Sequence, residues 1–362
     1  MISVGVIGYG YWGPNLVRNF AESNGARVVA VSDLRPERLA NVNKRYPGIQ
    51  TSTDYREMLA DPRVDAVAIS TPVCTHFRIA MEALRAGKHV LVEKPLAANS
   101  EEAFELIEAA AVRNLVLMVD HTFVYTGAVR KMRELITSGE LGEIYYFDSV
   151  RANLGLFQQD VNVMWDLAVH DLSIMDYVLP CRPYAVSATG LSNVPGKAEN
   201  IAYMTLFFEG SMIVHVHVNW LAPVKLRRIL IGASKKMIVY DDMEQTEKVR
   251  VYDNGITVSN HVSEEKMREI RVGYRTGDMW APKVSVSEAL LAEVEHFARC
   301  IQNHEKPITD GLAGLRVVKI LEAATQSMRE YGQPVRLETS VAAASAGTGL
   351  QPIREHALPA LQ

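Results

Sequence analysis

The sequence predicts an α/β fold for residues 1–120, a doubly wound parallel sheet, followed by an α+β domain with an open, mostly antiparallel sheet. Three observations carry this expectation. Short apolar runs alternate with amphipathic stretches up to about residue 120, and a glycine-rich turn closes the first run. Beyond that point strand-like runs follow one another with no helix between them. Strands separated by helices pair in parallel through crossovers, whereas consecutive strands pair antiparallel.

The runs at 4–7, 28–31, 66–69, 89–92 and 115–119 are short and rich in Val and Ile. That composition suits strands covered on both faces. Helical patterns fill the intervals at 15–23, 36–46, 54–59, 76–86 and 101–113. Pro36 fits a helix first turn, and Gly87 stands where a C-terminal cap is wanted. The second domain, 121–338, opens with a helix at 127–138 that Gly139 ends, then a strand at 144–151 and a helical stretch at 165–178. Strands are expected at 184–191, 202–208, 212–220, 226–231 and 237–240, and helices at 287–302 and 311–331. Residues 339–362 are rich in Ala, Ser and Gly and read as a disordered tail.

Bulk properties narrow the function. A chain of 362 residues, 48% of them hydrophobic, can bury a full core without disulfides or metals. Its formal net charge of −4, with no basic stripe, argues against nucleic acid as a partner. Cys74, Cys181 and Cys300 form no C-x-x-C pair, so neither a zinc site nor a disulfide framework is expected. The first residues lack a basic leader and are too short an apolar run for a membrane span, which points to a cytoplasmic protein.

Gly8-Tyr9-Gly10-Tyr11-Trp12-Gly13 is a G-x-G-x-x-G between a strand and a helix, the fingerprint of a Rossmann dinucleotide-binding domain. Gly8 permits the tight turn, Gly10 lets backbone approach a pyrophosphate, and Gly13 lets helix and strand pack closely. The helix N-terminus then offers free N–H groups to the phosphates. Asp33, 20 residues after Gly13, stands where a carboxylate accepts both ribose hydroxyls, which favours NAD. Arg35 and Arg38 follow it and leave NADP open, because arginines there can receive a 2′-phosphate.

Three later motifs complete the pattern: Thr71-Pro72-Val73-Cys74-Thr75-His76, Glu93-Lys94-Pro95, and Asp166-Leu167-Ala168-Val169-His170. Ligands of an open parallel sheet bind outside the carboxyl ends of its strands. Thr71, His76 and Lys94 follow such ends and are expected in the crevice of the glycine turn. Asp166 and His170, four apart in a helical pattern, share one face. A carboxylate beside an imidazole would orient the ring and favour its protonated form.

In order and spacing the motifs together resemble the glucose–fructose oxidoreductase and inositol dehydrogenase (Gfo/Idh/MocA) family, over nearly the whole chain to about residue 338. The resemblance implies a cis bond before Pro95. It implies His170 as acid/base, Lys94 as hydrogen-bond donor to the reacting oxygen, and Asp166 as orienting group for a neighbouring hydroxyl. Cofactor contacts are then expected at Gly8, Gly10, Tyr11, Trp12, Gly13, Asp33, Thr71, Pro72, His76, Glu93 and Lys94. The chain departs from the family's usual pattern at 161–165, at Ala168 and at 124–127. Tyr125, Arg151, Asn153 and Trp165 therefore join Lys94, Asp166 and His170 as candidates for lining the substrate pocket.

His215, His217 and Asn219 alternate on a strand and share one side of the sheet. With no third ligand evident, a polar face set against a second subunit explains them better than a metal. The family commonly forms dimers or tetramers through that sheet face. The resemblance leans toward oxidation at C3 of a nucleotide-linked sugar, a UDP-N-acetylhexosamine or its uronic acid. Inositol or free-sugar oxidation is the enzymatic alternative. An NAD-binding regulatory protein and an NAD-dependent glycosidase are alternatives of other classes.

Overall fold

The computed structural model describes residues 1–155, 161–258 and 272–337; the expected tail at 339–362 lies outside the described residues. The first unit contains β1 (Ile2–Ile7), α1 (Gly13–Glu22), β2 (Ala26–Ser32), α2 (Pro36–Arg45), β3 (Gln50–Ser52) and α3 (Tyr55–Ala60). It continues through β4 (Ala66–Ile69), α4 (His76–Arg85), β5 (His89–Glu93), α5 (Ser100–Val112) and β6 (Leu117–Asp120). The six strands lie in the order β3-β2-β1-β4-β5-β6 and every pairing is parallel. Val4, Val6, Val67, Ile69 and Val92 have no exposed surface, as expected where helices cover both faces. β3 is the strand the sequence hid: Gln50-Thr51-Ser52 is polar because it forms a sheet edge.

Local signals account for the helix starts. Pro36 occupies the first turn of α2. The Asp54 carboxylate accepts from the Arg56 N–H and the Asn99 side chain accepts from the Glu102 N–H, capping α3 and α5.

The second unit begins with a 3₁₀ turn at Thr122–Tyr125, α6 (Gly127–Thr137) and β7 (Ile144–Leu154), which runs three residues beyond the expected end. A π-helical turn at Met164–Ala168 then leads into α7 (Val169–Val178), where a single helix was expected. There follow β8 (Ala185–Leu191), β9 (Ile201–Phe207), β10 (Ile213–Asn219), β11 (Leu221–Ala233), β12 (Met237–Asp241) and β13 (Val249–Tyr252). A small hairpin, β14 (Gly255–Val258) and β15 (Val272–Arg275), precedes β16 (Met279–Trp280), α8 (Ala289–Asn303), α9 (Gly311–Arg329) and β17 (Val335–Arg336). The large sheet has the order β16-β13-β12-β11-β7-β10-β9-β8-β17. It is mixed rather than purely antiparallel, because β10 pairs with β7 in parallel.

On β10 Val214, Val216 and Val218 are buried, while Ile213, His215, His217 and Asn219 point to the other side. One face of this sheet therefore carries the helices and the other lies open.

The division at residue 120 is not a clean cut. α8 packs Leu290, Val294, Phe297 and Ile301 into one core with Val4, Val6, Leu16, Val17 and Phe20 of the first unit. Arg18 and Asn19 of α1 donate to Glu288 at its start. α9 joins the two halves: Leu315 and Val318 enter the core beneath β4 and β5, while Val317, Ile320 and Leu321 enter that of the large sheet. Cys74, Cys181 and Cys300 are all free, the last of them buried.

Candidate functional site

The glycine turn leaves β1 with Gly8 at φ +96°, a left-handed conformation that side chains resist. A Cβ on Gly8 would stand 2.6 Å from the Ser70 carbonyl oxygen, and one on Gly13 only 2.2 Å from the Gly8 carbonyl oxygen. The bare backbone at the mouth of α1 and its free N–H groups thus form a cradle of the kind a pyrophosphate fits. Tyr11 is exposed at the tip of the turn, and the Trp12 Nε1–H donates to Asp120 Oδ2 at 2.8 Å.

Asp33 ends β2 beside this cradle. Its carboxylate accepts from the backbone N–H of Tyr9 at 2.7 Å, from that of Arg35 at 2.9 Å, and from Arg38 Nη1 at 3.1 Å. Burial alone would raise its pKa, but these three donors outweigh burial and hold it below the usual carboxylate value. The ion pair also engages Arg38, one of the two arginines that left a 2′-phosphate open.

β4 and β5 deliver the next groups. Thr71 Oγ1 lies 2.7 Å from Thr75 Oγ1, and the Thr75 hydroxyl donates to the Pro72 carbonyl. His76 is buried at the start of α4, with Nε2 at 2.8 Å from the Thr71 carbonyl oxygen and Nδ1 at 2.9 Å from that of Pro95. Expected among the cofactor contacts, it sits behind the crevice and fastens the Thr71 loop to the Lys94-Pro95 segment. The Lys94–Pro95 peptide bond is cis.

Lys94 reaches from the first unit to the second. Its ammonium donates to the Asp166 carbonyl oxygen at 2.9 Å and to Asp166 Oδ1 at 3.2 Å. Asp166 Oδ2 accepts the Trp220 indole N–H at 3.1 Å. Both oxygens of Asp166 are thus engaged away from His170. This corrects the expectation that the carboxylate orients the imidazole and favours its charge. The π-turn at Met164–Ala168 places Asp166 on a wider turn than the α-helix assumed by the four-residue spacing, and the Lys94 ammonium takes it up.

His170 instead packs edge-on against Phe123, with ring centroids 5.1 Å apart, and its Nδ1 is enclosed with no hydrogen-bond partner among the described residues. Burial pushes its pKa well below the usual imidazole value, and the charges of Lys94, Arg151 and Arg227 add to that shift. That shift favours the neutral ring, which keeps one nitrogen as an acceptor.

Behind Lys94 stand three carboxyls from β5, β6 and α8: Glu93, Asp120 and Glu293. Burial raises the pKa of Glu93 well above normal and Asp120 adds to it, against a lowering by Lys94. Burial, Asp120 and Glu93 likewise raise that of Glu293. Asp120 holds the Thr122 hydroxyl at 2.5 Å as well as Trp12. Glu93, expected at the cofactor, belongs to this cluster beneath the turn.

The four added pocket candidates divide. Tyr125 is 1% exposed and its hydroxyl lies 3.1 Å from Thr309 Oγ1, inside the core rather than on a crevice wall. Arg151 is equally enclosed, clasped by Asp171 through Nε at 2.6 Å and Nη2 at 3.2 Å. Trp165 donates its indole N–H to Thr325 on α9, and so anchors the π-turn. Asn153 remains partly exposed near the end of β7. Sequence reasoning missed Asp120, Phe123, Trp220 and Glu293. Asp120 ends β6, so the strand-end rule that found Lys94 would have found it; Trp220 and Glu293 come from distant segments with no local sign.

Among the described residues the grouping that could ligate a metal is His296, Cys300 and Glu305. There His296 Nε2 accepts the Ile308 N–H at 3.1 Å, and the Arg299 guanidinium lies 2.7 Å from Nδ1. Burial pushes the Cys300 thiol up to about 11. A neighbouring guanidinium and a protonated thiol disfavour a cation.

Residues 2–121 match the model of the oxidoreductase family with an NAD-binding Rossmann fold, and residues 129–239 match the GFO/IDH/MocA C-terminal domain. The chain is 29% identical over 323 residues to the UDP-N-acetylglucosamine 3-dehydrogenase of Acidithiobacillus ferrooxidans, covering 87% of this chain and 93% of that protein. The solved structure of that enzyme superposes with a TM-score of 0.75 over 91% of this chain and 96% of that one. The myo-inositol 2-dehydrogenase of Thermotoga maritima is 24% identical, over 92% and 98% of the two chains. A levoglucosan dehydrogenase solved with NADH and levoglucosan shares the fold at a TM-score of 0.78 and 22% identity, over 93% of this chain and 99% of that one.

Proposed function

Because this chain belongs to the GFO/IDH/MocA family of NAD-binding oxidoreductases, we propose that it oxidises a secondary hydroxyl of a carbohydrate at C3 of a nucleotide-linked sugar. The observation that carries the reading is the Lys94–Asp166 pair, which joins the two units beside a neutral imidazole. The preference for a nucleotide-linked sugar rests on similarity to the UDP-N-acetylglucosamine 3-dehydrogenase.

The residues present fit NAD: the cradle at Gly8, Gly10 and Gly13 admits a pyrophosphate, and Asp33 accepts ribose hydroxyls while repelling a 2′-phosphate. NAD, when bound, supplies the hydride acceptor. Lys94 has three N–H donors, of which two are placed on Asp166, so the third can hold the reacting oxygen. His170, neutral by burial, takes the hydroxyl proton as the C–H bond breaks. Asp166, braced by Trp220, fixes the ammonium and accepts from a neighbouring hydroxyl.

A reducing cytoplasm is the proposed location, supported by a chain with only three cysteines; no helix among the described residues is long and apolar enough to cross a membrane. The open sheet face, where Tyr203 stacks on His217 at 4.4 Å and Ile213 is exposed, is assigned to a homodimer or homotetramer contact.

The test is a panel of UDP-N-acetylhexosamines, their uronic acids, free sugars and inositols, followed by NADH absorbance. Activity on a nucleotide sugar is expected. Activity on free inositol alone would favour the cyclitol reading, and the alternatives of other classes would give no net NADH.

A further inference from the structure

A cavity of about 80 Å³ lies between α6, α7 and α9, and shares no lining residue with the glycine turn or with Lys94, Asp166 and His170. Three guanidinium groups from different elements line it: Arg133 of α6, Arg182 just past α7, and Arg316 of α9. The single carboxylate among them is Asp176, which accepts from Arg316 Nε at 2.8 Å and Nη2 at 2.7 Å and lies 3.3 Å from Arg182 Nε. Three positive groups against one negative leave a formal excess of two positive charges on the lining.

His121 forms the inner end of the cavity. It is 2% exposed, and among the described residues neither ring nitrogen has a hydrogen-bond partner. Buried polar atoms are nearly always paired, so an orphaned ring marks a place where a water or an ion belongs. A water needs about 10–15 Å³ of cavity, so this one has room for a group the size of an oxyanion.

We propose that this cavity is a second ligand site, which binds a small oxyanion of the phosphate class between Arg133, Arg182 and His121. Its donors come from separate elements: Arg133 Nη1 already donates to the Tyr177 carbonyl oxygen and Arg182 Nη1 to that of Asp176, which leaves their other N–H groups for a ligand with several acceptor oxygens such as a tetrahedral anion. The bidentate slot on Arg316 is already filled by Asp176. A neutral imidazole still offers one N–H donor, and the excess of two charges matches a phosphate dianion. Arg133 and Arg182 are exposed at the rim, so the phosphate head of a larger monoester could enter as readily as free phosphate.

Calorimetric titration of the full-length, NAD-saturated protein tests this, with inorganic phosphate in one arm and glucose 6-phosphate in the other. Saturating NAD keeps the pyrophosphate cradle out of the reading. Saturable binding of one anion per chain is expected, weakened about tenfold in Arg133→Gln and Arg182→Gln, with NAD affinity unchanged. Tighter binding of the monoester would identify a metabolite as the occupant, and tighter binding of phosphate the free ion. If Arg182→Gln fails to fold by circular dichroism, Arg133→Gln, which leaves the ion pairs of Asp176 with Arg182 and Arg316 in place, decides. The proposal is overturned by no saturable binding at tens of millimolar, by equal affinity in the variants, or by competition with NAD.

Discussion

In the proposed reaction Lys94 and His170 act on the substrate and Asp33 on the cofactor, and each makes a separate prediction. Lys94→Ala or His170→Ala should lower kcat by about 10²–10⁴-fold, the usual worth of a positioned acid or base, while NAD affinity stays nearly unchanged. Full turnover in either variant would remove that residue from the reaction. The pH profile follows from the sign of the His170 shift. A base must be deprotonated to work, and burial lowers this pKa, so the acid limb of kcat/KM should fall below the ordinary imidazole value of about 6.5. A limb above that value would contradict a buried, cation-flanked imidazole. Asp33→Ser should weaken NAD and narrow the preference over NADP, because it frees Arg38 and removes the charge that repels a 2′-phosphate. Lys94, His170 and Asp33 were legible in the sequence because each belongs to a motif anchored at a strand end or on one helix. The link from Asp166 to Lys94 and Trp220 was not, since it depends on a π-turn that has no periodic signature and on an indole 54 residues away.

At the level of the elements, the glycine turn and α9 each hold a glycine with no room for a side chain. Gly8→Ala puts a methyl against the Ser70 carbonyl and strains a left-handed residue, so NAD binding should fall sharply, as read by fluorescence titration. Gly314 of α9 lets Val119 and Leu96 approach to where a Cβ would stand 2.7 and 3.0 Å from them. Gly314→Val should therefore destabilise the fold by about 1–3 kcal/mol, the usual cost of overpacking, and lower Tm. The parallel strands were readable because burial on both faces makes them continuous apolar runs. β3 escaped because a three-residue polar edge has no such run, and the β7–β10 parallel contact escaped because chain order alone does not set the neighbours of a strand.

For the whole molecule, the joining of the two units depends on α8 and α9 returning to the first, which the reading of two consecutive domains did not foresee. Amphipathic helices declare that they have a buried face, not which sheet supplies the partner. The Asp176–Arg316 ion pair and one wall of the arginine-lined cavity arise from that return, since Arg316 comes from α9. Light scattering should find a dimer or tetramer at micromolar concentration, with the open face of β9 and β10 covered; a monomer would leave that face without its assigned partner. The reaction itself is tested most directly by UDP-N-acetylglucosamine carrying deuterium at C3, with the NADH produced read by mass spectrometry. NADH one mass unit heavier, and its absence with Lys94→Ala, are the expected results. Unlabelled NADH, or none from any C3-labelled nucleotide sugar, would contradict hydride removal at that carbon.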